Sequence, residues 1–71
     1  MAIIKKLIPC DDDPQSRTSV VADYCYDRYL FQIRTYKAGD LNRSENSKQN
    51  IQIDKEMAKI IIEKLQIFVG Q

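Results

Sequence analysis

Apolar and polar residues alternate along most of this chain, and the alternation changes period once. Residues 29 to 37, Tyr-Leu-Phe-Gln-Ile-Arg-Thr-Tyr-Lys, carry the clearest two-residue period. Tyr29, Phe31, Ile33 and Thr35 share one side, and Leu30, Gln32, Arg34 and Tyr36 share the other, as successive side chains do in a strand. The first set reads as the core face. The second reads as amphipathic and exposed, which an antiparallel sheet allows on one side. Residues 18 to 26 predict a strand in which Val20, Ala22, Tyr24 and Tyr26 share a face, with a tight turn around Asp27 and Arg28. Residues 2 to 8, rich in isoleucine, predict another strand. Two prolines then bracket the acidic loop Asp11 to Asp13. Residues 38 to 50 contain Leu41 as their only large apolar side chain and predict a long loop, functional or disordered by length. Ile51 to Ile53 predict a short fourth strand.

After Asp54 the period becomes helical. Asp54 suits an N-cap, and Glu56 suits the positive end of the helix dipole. Met57, Ala58, Ile61, Ile62, Leu65, Phe68 and Val69 fall on one arc of about 140°, a core-facing stripe, and Gly70 supplies a stop. Ile60 and Ile67 lie on another side, seven residues apart, among Lys59, Glu63 and Lys64. A helix packed only on its own sheet has no use for isoleucines there, so Ile60, Lys64 and Ile67 are expected in a contact between two subunits. The predicted fold is α+β, ββββα: a four-stranded antiparallel meander, then one C-terminal amphipathic helix covering one face, with residues 1 to 71 forming a single domain.

Length sharpens the dimer expectation. A chain of 71 residues buries only about 60% of its unfolded surface and is marginal alone. Oligomers, metals and disulfides are the usual remedies. A metal is not expected, since there is no histidine and Cys10 and Cys25 lie far apart. The cysteines read as reduced thiols, and the broken apolar run at the N-terminus reads as neither signal peptide nor membrane span. The expected setting is therefore intracellular: cytoplasmic and nucleoid-associated, or nuclear. No nucleophile–histidine pair, phosphate loop or dinucleotide fingerprint occurs, so neither catalysis nor a cofactor is expected.

The net charge of +1 does not announce a nucleic-acid binder, but its distribution permits one. After Asp27, bases outnumber acids as far as Gln49. On the strand face opposite Phe31 and Ile33, Arg34 and Tyr36 point outward, with Arg28 and Lys37 near the strand ends. Tyr24 and Tyr26 join them if their face is the outer one, and a flexible loop would bring Arg43 and Lys48. Tyrosines interleaved with cations suit unpaired bases and phosphates. The plainer alternative is that the tyrosines fill a half-buried sheet face and the arginines pack across strands.

The residues Phe31-Gln32-Ile33-Arg34-Thr35-Tyr36, a polar loop, Asn50-Ile51-Gln52-Ile53 and a helix opening at Asp54 resemble the C-terminal domain of the transcriptional positive cofactor four family. The likeness covers residues 20 to 66. The family pattern is apolar-x-Ile-Arg-x-Tyr, a polar loop, Gly-Ile-x-Leu and a capped helix. The resemblance implies a curved four-stranded antiparallel sheet, a homodimer joined through the helices, and binding of single-stranded DNA, or RNA, with little sequence preference. It places nucleic-acid contacts on Arg28, Arg34, Lys37, and Lys48 with Gln49; Tyr26, Tyr36 and Arg43 come from the surface pattern. Two departures stand out. Lys37 occupies a position where the family often has tryptophan, and Asn50 stands where it has glycine. The expected function is a non-catalytic binder of single-stranded nucleic acid assisting transcription, replication or repair. The alternative is a small protein-interaction module or regulator, for example a phage- or plasmid-borne inhibitor, on the same scaffold.

Overall fold

The computed structural model describes residues 1–15 and 18–71. Among these residues four strands and one helix occur in order: β1 (Ala2–Ile3), β2 (Ala22–Tyr26), β3 (Leu30–Thr35), β4 (Gln49–Asp54) and α1 (Lys55–Val69). The α+β architecture agrees with the sequence pattern. The topology departs from a pure meander. β2, β3 and β4 are antiparallel neighbours, but β1 lies beside β4 and runs parallel to it, giving the order β1-β4-β3-β2. The expected strand over residues 2 to 8 shrinks to two residues, extended by the Ile4 N–H donating to the Gln52 carbonyl at 2.9 Å. Lys5, Lys6 and Pro9 come soon after, and charge and proline are ordinary ways to end an edge strand.

Between β2 and β3 only Asp27, Arg28 and Tyr29 lie outside the strands, and none adopts positive φ. The favoured primed turns, which require positive φ, are therefore absent. The Asp27 side chain supplies the substitute: one carboxylate oxygen accepts from the Tyr29 N–H at 2.7 Å and the Leu30 N–H at 2.9 Å. Those backbone donors, Leu30 foremost, hold the Asp27 carboxyl below the usual range.

Register assigns every strand side chain to a face. Tyr26 pairs with Phe31, Tyr24 with Ile33, Phe31 with Ile53, and Ile33 with Ile51. That face is apolar and aromatic. Phe31 stacks on Tyr24 and Tyr26, with ring centroids 5.6 and 5.9 Å apart and planes within 11° and 9°. The opposite face carries Asp23, Cys25, Gln32, Arg34, Asn50 and Gln52. The expected parity of β3 is thus observed, but Tyr26 lies with Phe31 rather than with Arg34. The burial is not the expected one. Tyr29, Ile33 and Ile51 on the expected core side are exposed, as are Tyr24 and Tyr26 beside them, whereas Gln32 and Arg34 on the expected open side are half-buried.

The helix begins directly from the last residue of β4. Asp54 accepts the Met57 N–H at 2.9 Å, as an N-cap should. Ala58 shares a shallow depression with Tyr26, Phe31 and Ile53, so the first turns of α1 border the apolar face. The stripe expected to cover that face does so only at its start. Met57 is buried, Ala58 and Ile61 are half-buried, and Ile62, Leu65, Phe68 and Val69 are exposed. The helix follows β4 directly, with no loop between strand and helix. Its main contact is with β4. Gly70 comes after the last turn at φ −80°, so it does not form the left-handed cap that glycine favours.

Among the described residues, only Tyr36 and Met57 are buried hydrophobic side chains, 7% and 6% exposed. The radius of gyration is 13.9 Å, against about 11 Å for a compact chain of this length. The surface is 6553 Å², where about 4,600 Å² is ordinary for this mass.

Replacing the cap, Asp54→Ala, is expected to lower stability by about 1 kcal/mol. A urea melt tracked at the helical circular-dichroism band checks this; an unchanged midpoint would mean that the helix start is held by packing instead.

Candidate nucleic-acid interface

The site is assembled around Asp23, the second residue of β2. Arg34 stands directly opposite it on β3, and a guanidinium and a carboxylate across one rung are close enough to pair. Arg34 Nε donates to Asp23 Oδ1 at 2.8 Å and Arg34 Nη2 to Oδ2 at 2.8 Å, a bidentate fork. Tyr36, two residues further on the same face, donates its hydroxyl to Oδ2 at 2.7 Å. Arg43 reaches over from the long loop and donates Nη1 to Oδ2 at 3.0 Å. Asp23 is the acceptor in all four bonds. Its carboxyl is held well below the usual range, first by Arg34, then by Tyr36, with a smaller share from Arg43. Arg34 is held more firmly protonated by Asp23. The Tyr36 phenol is pushed up because its proton is committed to Asp23 and its ring is buried.

The loop is built to deliver Arg43. Lys37 to Asp40 make a turn in which the Asp40 N–H donates to the Lys37 carbonyl at 3.0 Å, and Gly39 takes φ 87°, the value a type II turn needs at its third residue. Asp40 then braces the two residues beyond Arg43. Its Oδ1 accepts the Ser44 N–H at 2.9 Å and the Ser44 hydroxyl at 2.7 Å, and its Oδ2 accepts the Glu45 N–H at 3.0 Å. These donors, the Ser44 amide first, keep the Asp40 carboxyl below its ordinary range. Arg43 sits inside the brace at φ 54°. A non-glycine residue there costs about 1–2 kcal/mol, so the contacts around it hold a strained backbone in place. The segment is therefore a structured strap across β3 and β2 rather than a flexible loop. It rejoins the sheet where the Lys48 N–H donates to the Thr35 carbonyl at 2.7 Å.

The expected site residues separate into groups. Arg34 and Arg43 come together on Asp23, with side chains 39% and 53% exposed above a carboxylate that is 12% exposed. Lys48 and Gln49 are exposed at the near end of β4, but Gln49 pairs with Thr35 and so lies on the face opposite Arg34, against expectation. Lys37 is exposed and lies 3.8 Å from Glu45, a surface pair of little energetic weight. Arg28 is exposed in the β2–β3 turn, at the far end of β3 from Lys37. Two expectations are corrected. Tyr36 is on the predicted face, but its ring is buried and its hydroxyl is used, so it offers no stacking surface. Tyr26 is exposed, but on the opposite face. Asn50 pairs with Arg34 in β4 without positive φ and accepts the Ser47 hydroxyl at 3.1 Å, so the family's glycine is not needed there.

Sequence reasoning missed Asp23 as the organiser. The signal was present: with Asp27 and Leu30 closing a two-residue turn, counting outward pairs Asp23 with Arg34. Beyond the cluster, the polar face continues through Gln32 and Gln52, whose amides bond to each other at 2.8 Å. Among the described residues, no group of three or more His, Cys, Asp or Glu side chains is placed to hold a metal, and no helix is long and apolar enough to cross a membrane. Cys10 and Cys25 are exposed free thiols.

No family model, curated protein or solved structure matches the chain.

Asp23, Asp27 and Asp40 all have depressed carboxyl ranges. A depressed acid stabilises the fold fully above its unfolded value, near 4, and loses that contribution as pH falls toward the folded value. Stability is therefore expected to be level near neutrality and to decline from about pH 5 downward. Chemical denaturation at stepped pH checks this, and Asp23→Asn is expected to flatten the acid limb. A limb equally steep in that variant would remove Asp23 as its main source.

Proposed function

We propose that this chain is a non-catalytic protein that binds single-stranded nucleic acid with little sequence preference, working as a homodimer paired through its helices. The observation that carries the reading is the pair of half-exposed guanidiniums, Arg34 and Arg43, fixed side by side on a polar sheet face. Two positive charges share one carboxylate, so the cluster keeps a net charge of +1. Lys48 extends the positive track at the same end of the sheet, where Lys37 lies beside Glu45, and Gln32 and Gln52 supply neutral hydrogen-bonding groups. Such a surface suits a phosphate backbone. With Tyr36 withdrawn and Tyr26 on the other side, base stacking contributes little there, and recognition is mainly electrostatic and indifferent to sequence. The resemblance to the positive cofactor four pattern points the same way.

The dimer is supported by what the monomer leaves uncovered. Ile60, Ile62, Leu65, Ile67, Phe68 and Val69 are exposed within the last three turns of α1. The surplus surface belongs partly to this helix and partly to the exposed segment from Lys5 to Gln15. It is of the order of the roughly 800 Å² per partner that a stable interface buries, or more. Lys64, exposed between Ile60 and Ile67, fits the rim of such an interface.

A second reading has an observation of its own. The Val21 carbonyl accepts from Tyr36 and the Asp27 N–H donates to Leu30, so the backbone groups of Asp23 and Cys25 also point at β3. Those of Ala22, Tyr24 and Tyr26 point away, along an edge with no lysine or proline. An extended peptide from a protein partner would find them free among the described residues.

Fluorescence anisotropy with labelled oligo-dT tests the first reading. Binding is expected, with log K falling against log salt at a slope of about −2 for three phosphate contacts per site. Arg34→Ala with Lys37→Ala is expected to abolish it. Absence of binding at low salt, together with a nuclease-resistant protein partner in a pull-down, would favour the second. Light scattering on a sizing column is expected to give twice the chain mass, and Leu65→Asp with Ile67→Asp to shift it to monomer or unfold it. A folded wild-type monomer at micromolar concentration would refute the helix pairing.

A further inference from the structure

The cluster around Asp23 has the composition of a phosphate site with an anion already in it. One guanidinium binds side-on through Nε and Nη2, a second adds Nη1, and a phenol adds its hydroxyl, all within 3.0 Å of two carboxylate oxygens. This donor set suits a phosphodiester as well as a carboxylate. The anion in residence is tethered to β2 and lies deeper than the arginines that surround it. Arg43, the most exposed of the donors, comes from the strap and is held at positive φ, so its link to Asp23 joins the strap to β2 at a strained point. Among the described contacts, Arg34 Nη1 and Arg43 Nε and Nη2 have no protein acceptor, so an incoming anion has donors to meet before any bond to Asp23 breaks.

We propose that Asp23 is a built-in competitor for the phosphate this face binds. A backbone phosphate first engages the free edges of Arg34 and Arg43. It then takes Arg43 from Asp23 and frees the strap, Ala38 to Lys48, from β2. The proposal rests on the nucleic-acid reading and adds a sign to it: the carboxylate at the centre of the site opposes binding, although it organises the site. The charge arithmetic sets that sign. The two arginines and Asp23 together carry +1; without the carboxylate charge they carry +2, and a phosphate meets one fewer repulsion at contact distance.

Asp23→Asn keeps the shape and removes the charge. Its affinity for oligo-dT is expected to rise roughly tenfold at low salt, and its salt slope to steepen by about 0.7, one more phosphate contact on a single strand. Circular dichroism establishes that the variant is folded. A folded variant that binds no better than wild type, or worse, overturns the competition and makes Asp23 a positioning residue, while leaving the nucleic-acid reading intact. Failure of both proteins to bind at low salt overturns that reading and the competition with it. Should the variant not fold, the wild-type protein answers by NMR. Saturation with oligo-dT is expected to shift the Asp23 side-chain carboxyl carbon and the Arg43 Nε–H resonance as their contact is lost. Resonances that report the contact unbroken at saturation overturn the proposal.

Discussion

Asp23 accepts from side chains 11, 13 and 20 residues further along the chain, and three features of the polar face depend on that convergence. It aligns Arg34 along the sheet instead of letting it extend into solvent. It draws the Tyr36 phenol inward, making that ring one of the two buried hydrophobic side chains among the described residues. It also anchors the strap, whose turn at Gly39 and brace at Asp40 would otherwise end in a strained arginine with nothing to hold. Each bond alone is modest, because folding exchanges protein–water hydrogen bonds for internal ones. Their number on one carboxylate matters more. Removing the shared acceptor would leave three donor side chains to find water separately, and the ordering of the loop residues would lose its return. The polar face is thus stabilised by a charge-assisted network in place of an apolar core.

The other side of the molecule shows the reverse condition. Phe31 between two tyrosines, together with Ile33, Ile51 and Ile53, makes an apolar surface that the helix only begins to cover. Offset aromatic stacking contributes about 0.5–1.5 kcal/mol per pair beyond burial, which does not replace a core. Direct capping of α1 by the last residue of β4 gives a sharp, well-defined junction, and beyond its first turns the helix leaves Ile62, Leu65, Phe68 and Val69 exposed. Among the described residues, those apolar side chains have no internal partner to cover them. A second copy of the same chain would supply the missing surface at both the helix and the sheet.

Much of this architecture was legible in the residues, and the remainder was hidden for identifiable reasons. The alternation through Phe31, Ile33 and Arg34 assigned the parity of the two faces, because a two-residue period leaves no freedom once one side is apolar. It did not assign their burial: Ile33 on the expected core face is exposed, and Arg34 on the expected open face is half-buried. Asp54 marked the helix start to the residue. The parallel placement of β1 was hidden because two paired residues leave no periodicity to read and direction is not a local property. The exposure of Ile62, Leu65 and Phe68 was hidden because a stripe shows which residues seek burial, and not what is available to bury them. Tyr36 was assigned to the correct face but to the wrong environment: parity does not foresee a strap from the same chain. Tyr26 was left conditional on a register that its turn fixes, and Asp27 closing that turn through its side chain was the clue.

The division of labour between the faces bears on how weak local binding could still serve a function. The chain offers a short positive track, a few charges long, and a net charge of +1 gives little long-range attraction. Under the proposed pairing, the apolar face and helices are consumed by the partner, whereas the guanidinium clusters, being on the opposite sheet face, are not. Two clusters then belong to one particle. A strand held by one meets the other at an effective concentration set by the length of nucleic acid between them, a gain that requires no additional contact. A monomer would lose this gain while every residue of its site remained intact. Under the proposed reading, dimerisation and binding would be coupled in this way through the strand parity that separates Phe31 from Arg34, and a site with few charges would become adequate in the paired state.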